Sequence, residues 1–156
     1  MPALVTAGRI LFVLIFVFSG ASKLFDIAST TQAIADKVIP ALPAMVTPYT
    51  AQLESLTRMP TAQLLAILVG VLEVVGGLMI ALNFGARLFS ILLVIFVAIA
   101  TYYFHNFWDM TGIDRTNNMI HVLKNLSIIG GLLIIAGTPR TVVDDSNYTG
   151  SSDMRY

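Results

Sequence analysis

Glu73 is the residue whose chemistry is most constrained by the sequence around it. It stands near the middle of a long apolar run over residues 61–82. An ionised carboxylate at that depth in a membrane costs on the order of several kcal/mol unless it is paired or protonated. Its helical neighbours at three and four residues are Gly70, Gly76 and Gly77, and such small residues let another helix approach closely. The sequence therefore predicts that Glu73 points into a helix bundle, towards a partner on another segment.

Lys124 is the partner that the sequence predicts for Glu73. Depths of about 8 Å for Lys124 and about 18 Å for Glu73 from the same membrane face leave a gap of about 10 Å. Two long side chains that lean towards each other, or a bridging water, can close such a gap. The pair has two interpretations. It is either a structural ion pair that fixes helix register, or part of a polar pocket that binds a head group or relays protons; a carboxylate in mid-membrane favours the pocket.

Further polar residues are expected at the membrane face that holds Lys124. They are Lys23, His105, His121 and Asn125. Lys23 ends the first apolar run, and the favoured interpretation is that its amine reaches the lipid head groups; Arg9 and Arg87, near the opposite face, are interpreted in the same way. Two histidines on two helices could ligate a b-type haem. Interfacial histidines beside an aromatic belt are far commoner, so haem is not the expected cofactor and no metal site is predicted.

These residues lie in a chain built around four long apolar segments. Of its 156 residues, 56% are hydrophobic and 12% are charged, against about 45–50% and 25% in soluble domains. Each segment is about long enough to cross a hydrocarbon core of roughly 30 Å. The predicted fold class is all-α, a four-helix transmembrane bundle in contact with the lipid bilayer, with spans at about residues 4–24, 61–82, 86–104 and 119–137. Residues 1–139 form a single membrane domain in this prediction.

The segments between the spans carry weaker signals. Residues 25–60 contain four prolines and two weakly amphipathic stretches, which predict one or two short helices on the membrane surface or capping the bundle. A polar connection at residues 105–118 joins the third and fourth spans. Residues 140–156 form a polar C-terminal tail that lacks a hydrophobic pattern.

Composition and charge restrict the function and the location. The chain has no cysteine, so thiolate metal sites, iron–sulfur ligation and a thiol relay cannot form within it. Its 9 basic and 9 acidic residues cancel, and no basic run follows a phosphate backbone, so no nucleic-acid partner is expected. The expected location is the inner (cytoplasmic) cell membrane, which the chain crosses several times. With Lys23 and Lys124 set aside as embedded in the spans, the distribution of positive charge favours both termini in the cytoplasm.

Four segments have a distinctive order of residues. They are Gly8-Arg9 with Ser19-Gly20-Ala21-Ser22-Lys23-Leu24; Gly70-Val71-Leu72-Glu73-Val74-Val75-Gly76-Gly77; Thr101 with His105-Asn106-Phe107-Trp108; and His121-Val122-Leu123-Lys124-Asn125-Leu126 with Gly130-Gly131-Leu132-Leu133. In this order the segments resemble the DoxX family of bacterial and archaeal membrane proteins. The resemblance covers roughly residues 5–137.

The resemblance implies a role in membrane redox metabolism. The founding relatives look like subunits of quinone-linked sulfur oxidation, and other members are associated with redox-stress complexes. The recurring polar residues of the family correspond here to Lys23, Glu73, His105, Lys124 and Asn125. We expect an accessory subunit of quinone-linked electron transfer, not catalytic alone, with quinone as the candidate cofactor and other membrane subunits or further copies as partners. The alternative is a non-catalytic structural or assembly subunit of a larger membrane complex. Transport of a small solute is a less favoured third interpretation, because four short helices leave little room for a pathway.

Overall fold

The computed structural model describes residues 3–138, and within that range the chain is helical and has no strand. Its α-helices are α1 (Ala3–Phe25), α2 (Ile27–Lys37), α3 (Thr47–Thr57), α4 (Thr61–Ala81), α5 (Ala86–Phe104) and α6 (Gly112–Gly137). Of these, α1, α4, α5 and α6 are long and apolar enough to cross a membrane. The predicted all-α, four-span fold class is confirmed. The predicted tail at residues 140–156 lies outside the described residues.

Helix α4 is the centre of the bundle, because α1, α2 and α5 all pack against it. The contact between α1 and α4 is very close. A Cβ placed on Gly20 would lie 2.6 Å from the carbonyl oxygen of Gly70, and a Cβ on Gly77 would lie 3.0 Å from the side chain of Val17. These glycines allow the two backbones to approach each other, as small residues do between membrane helices. Helix α6 packs mainly against α5.

The first connection contains two short α-helices, as the amphipathic stretches predicted. Helix α2 lies against α4 and buries Ile34 between them. Most of the surface of helix α3 is exposed. Glu54 connects α3 to α4, because its Oε1 accepts a hydrogen bond from the backbone amide of Thr61 at 2.7 Å. That bond satisfies one of the amides left unpaired at the start of α4. It also holds the pKa of the Glu54 carboxyl below its ordinary value.

Helix α6 begins at Gly112, ahead of the predicted start of the fourth span at Met119. The added turns are polar and are supported by local bonds, including one from the Asn118 side chain to the Asp114 carbonyl at 3.0 Å. An apolar pattern marks where the hydrocarbon ends, whereas a helix continues as long as its backbone bonds are made. The polar connection predicted as far as residue 118 is therefore helical from Gly112 onwards.

Candidate ligand-binding cavity

Glu73 forms an ion pair with Lys23. The Nζ of Lys23 lies 2.7 Å from Oε2 of Glu73, and it donates a hydrogen bond to the hydroxyl of Ser19 at 2.5 Å. Glu73 is buried, whereas 28% of the Lys23 side chain is exposed. Among residues 3–138 this is the only ion pair. The inward direction predicted for Glu73 is confirmed, and its cation comes from α1.

The predicted pairing of Glu73 with Lys124 is wrong. Lys124 is exposed on α6, which packs on α5 instead of on α4. Lys23 was expected to reach the lipid head groups, but the close contact between α1 and α4 brings its amine to the carboxylate. A signal for this arrangement was present in the sequence. Gly20 stands one turn before Lys23, and Gly70 stands one turn before Glu73, so small residues mark the contact on both helices.

The ion pair lines a cavity of about 680 Å³. Ligand pockets commonly have volumes of about 300–1,000 Å³, with mostly apolar walls and a few polar groups that orient the ligand. The walls here come from α1, α2, α4 and α5, with one edge from α6, and most of the lining side chains are aliphatic or aromatic. The polar residues of the lining are Ser19, Lys23, Ser29, Thr30, Glu73, Tyr103, His105 and Asn125.

Asn125 and His105 are held in the cavity wall by hydrogen bonds. The Nδ2 of Asn125 donates to Oγ1 of Thr101 at 2.8 Å, and that hydroxyl donates to the carbonyl of Val97 at 2.6 Å. The Nδ1 of His105 lies 3.1 Å from Oδ1 of Asn118. Because the Asn118 amide group donates to a backbone carbonyl, its oxygen is the acceptor, so Nδ1 of His105 carries the proton. In the neutral ring Nε2 is then an acceptor.

His121 lies outside the cavity lining. Its ring is exposed and stacks on His105, with the centroids 4.7 Å apart and the planes 5° apart. Axial haem ligation would require the two rings to point a nitrogen at the iron from opposite sides, which differs from this parallel stack. Of the six predicted site residues, the cavity brings together Lys23, Glu73, His105 and Asn125, and it leaves out His121 and Lys124.

Comparison with known proteins shows which family this chain belongs to. The sequence model of the DoxX family matches residues 4–106. This chain belongs to the DoxX family. A similar protein is the inner membrane protein YphA of Escherichia coli K12, which is 32% identical over 137 residues and aligns with 88% of this chain and 84% of its own length. No solved structure matches.

The DoxX match includes the helices that carry most of the cavity. Lys23, Glu73 and His105 all lie within residues 4–106, whereas Asn125 on α6 lies beyond that range. The family assignment, made from four short segments, is confirmed. The matched residues therefore include both members of the ion pair but not the α6 residues that line the cavity.

Arg9 lies near the opposite membrane face, as predicted, but the environment of its side chain differs from the prediction. Its side chain was expected to reach the lipid head groups, but Arg9 is buried, with 7% of its surface exposed. Its Nη1 donates a hydrogen bond to Oδ1 of Asn83, in the turn between α4 and α5. Arg87, which follows that turn, is exposed as expected.

Proposed function

We propose that this chain binds a quinone in the cavity beside Glu73 and acts as an accessory subunit of quinone-linked electron transfer in the inner cell membrane. One observation carries the proposal. The ion pair of Lys23 and Glu73, the imidazole of His105 and the amide of Asn125 all line the same largely apolar cavity of about 680 Å³.

The cavity lining matches the chemistry of a quinone. A quinone has an apolar ring and tail, which suit aliphatic and aromatic walls. Its two carbonyl oxygens accept hydrogen bonds, and Lys23 and Asn125 supply donors on different helices. The acceptor Nε2 of His105 suits the hydroxyl of the reduced form. We assign the role of proton carrier to Glu73, because its carboxylate is the acidic group of the lining.

The electrons must reach the quinone from another component. Quinone reduction takes up electrons together with protons, and this chain has no cysteine to hold an iron–sulfur cluster or to form a thiol relay. We therefore assign the electron donor to a partner subunit. The proposed contribution of this chain is to bind the ring, orient it and exclude water.

Fluorescence of Trp108, the only tryptophan in the sequence, offers a direct binding test. Trp108 follows the cavity residue His105 by three positions, so a bound quinone should quench its emission. We expect saturable quenching by a short-chain ubiquinone or menaquinone analogue in purified protein. Replacing Asn125 by Leu removes one hydrogen-bond donor and should weaken binding about tenfold.

Lys124→Gln is the matched control for that test. It alters an exposed polar residue next to Asn125 without touching the cavity lining, and binding should be unchanged. Quenching that rises linearly with quinone and is identical in wild type, Asn125→Leu and Lys124→Gln would reflect partition into the detergent, and the proposal would fail.

A structural or assembly subunit is the second candidate. The observation that favours it is the exposed apolar surface around α3, outside the four long helices. There Met45, Tyr49 and Leu56 are each more than 70% exposed, as residues of an interface are before assembly. Native mass spectrometry of gently solubilised protein should then reveal a stoichiometric partner, and a lone monomer with saturable quinone binding would count against this role.

A further inference from the structure

The second buried charge of the bundle is Arg9. Its guanidinium is a permanent cation with five N–H donors. Between residues 3 and 138 its only side-chain hydrogen bond goes to the neutral amide of Asn83, and no carboxylate lies within ion-pair distance. A buried charge without a counter-charge is strongly destabilising. The proposed quinone site makes no use of Arg9, which lies at the opposite end of the bundle.

A groove beside Arg9 faces the lipid. It has a volume of about 260 Å³ and lies between the start of α1 and the end of α6. The walls are Val5, Gly8, Arg9, Phe12, Gly131, Ile134, Ile135 and Thr138. On each helix these residues extend over about 10 Å. Gly131 closes the inner end, where the ring of Phe12 occupies the space that a Cβ would need, 2.7 Å away.

The groove has its charged group near the membrane face and apolar walls deeper in the bundle, which matches the head group and acyl chain of a phospholipid. Arg9 lies near the membrane face, since its hydrogen bond reaches the exposed turn residue Asn83. Phe12 and Gly131, which are in contact, lie at the inner end of the groove, towards the middle of the bundle. A guanidinium binds a phosphate group through paired hydrogen bonds, and an apolar groove of this length accommodates part of one acyl chain.

We propose that Arg9 and this groove form a binding site for one anionic phospholipid, with the phosphate on the Arg9 guanidinium and an acyl chain between α1 and α6. The lipid supplies the counter-charge that Arg9 lacks among the described residues. A zwitterionic lipid satisfies the site less well, because its ammonium group neutralises the phosphate.

The experiment measures lipid retention by the purified full chain in neutral detergent, using native mass spectrometry and the midpoint of thermal unfolding. The probes are dioleoyl phosphatidylglycerol, dioleoyl phosphatidylcholine and inorganic phosphate. Arg9→Gln removes the cation. Gly8→Leu fills the groove while keeping Arg9, and it is sterically tolerated because a Cβ at Gly8 meets nothing within 4 Å. Arg87→Gln removes an exposed cation as the matched control.

We expect phosphatidylglycerol to bind the wild type about tenfold more tightly than phosphatidylcholine, and to be weakened about tenfold by either Arg9→Gln or Gly8→Leu. Arg87→Gln should retain most of the binding. If Arg9→Gln does not fold, Gly8→Leu still decides the question. Equal binding of the two lipids, binding unchanged in Gly8→Leu, or equal stabilisation by inorganic phosphate alone would overturn the lipid site.

Discussion

Lys23 and Glu73 illustrate how a membrane protein keeps a carboxylate inside its bundle. The Nζ of Lys23 lies 2.7 Å from Oε2 of Glu73, which pairs the two charges, and Lys23 also donates a hydrogen bond to Ser19. Either charge alone at that position would destabilise the bundle, because a buried charge loses hydration without compensation. The pair therefore has a structural consequence whether or not a ligand binds beside it.

The strength of this pair can be measured with a double-mutant cycle. Glu73→Gln and Lys23→Met each leave one charge unpaired, and each should lower the free energy of unfolding by about 3 kcal/mol, the low end for buried pairs because Lys23 is partly exposed. The double variant removes both charges and should lose about 1–3 kcal/mol less than the sum of the single variants. Unfolding in mixed micelles with increasing denaturing detergent gives these free energies.

Lys124→Met is the control for the cycle. Lys124 is exposed, and its replacement should change the free energy of unfolding by less than about 0.5 kcal/mol. Additive losses for Lys23→Met and Glu73→Gln, or a larger loss for Lys124→Met, would contradict the pairing.

At the scale of helices, the close contact of α1 with α4 determines which charges meet. Burial of Glu73 was predictable from its position and its glycine neighbours alone. The identity of its cation was not, because depth along a span says nothing about which helices are adjacent. The sequence placed Lys124 and Lys23 at the same face, and only the packing of α1 on α4 selects Lys23.

Gly20 is the residue on which that contact depends. In Gly20→Ala the new methyl group would lie 2.6 Å from the carbonyl oxygen of Gly70 and 2.8 Å from Cβ of Glu73. Because backbone cannot yield as a flexible side chain does, α1 must move away from α4, at a cost of about 1–3 kcal/mol in the free energy of unfolding.

Gly130→Ala provides the matched comparison for the Gly20 variant. A Cβ at Gly130 meets nothing within 4 Å, and alanine favours a helix over glycine, so stability should be unchanged or rise by about 0.5–1 kcal/mol. Unfolding in mixed micelles with increasing denaturing detergent measures the free energy of unfolding of both variants. An equal effect of the two substitutions would show that α1 and α4 do not touch at Gly20.

Helix boundaries show a second limit of sequence reasoning. The long apolar runs were enough to predict α1, α4 and α5 closely, and the amphipathic stretches predicted α2 and α3. Helix α6 begins seven residues before the predicted fourth span, because residues 112–118 are mostly polar and carry no apolar pattern. Hydropathy reports the environment of a residue, whereas helix formation depends on backbone hydrogen bonds that continue beyond the hydrocarbon.

At the scale of the whole molecule, the two buried charged residues among residues 3–138, Glu73 and Arg9, lie in two separate regions of an apolar bundle. One is the cavity with Lys23, Glu73, His105 and Asn125, and the other is the groove with Arg9. The DoxX family match and the similarity to the inner membrane protein YphA of Escherichia coli establish the family. The proposed function depends on whether the larger cavity takes up a quinone from the membrane.

Photolabelling with an azidoquinone in lipid nanodiscs tests this central claim most directly. The account predicts covalent labelling of the α4 and α5 peptides that line the cavity, within residues 65–73 and 92–104. Excess unlabelled quinone should abolish that labelling. Labelling spread over lipid-facing residues such as Leu126, Leu133 and Ile134, and unaffected by competitor, would contradict it.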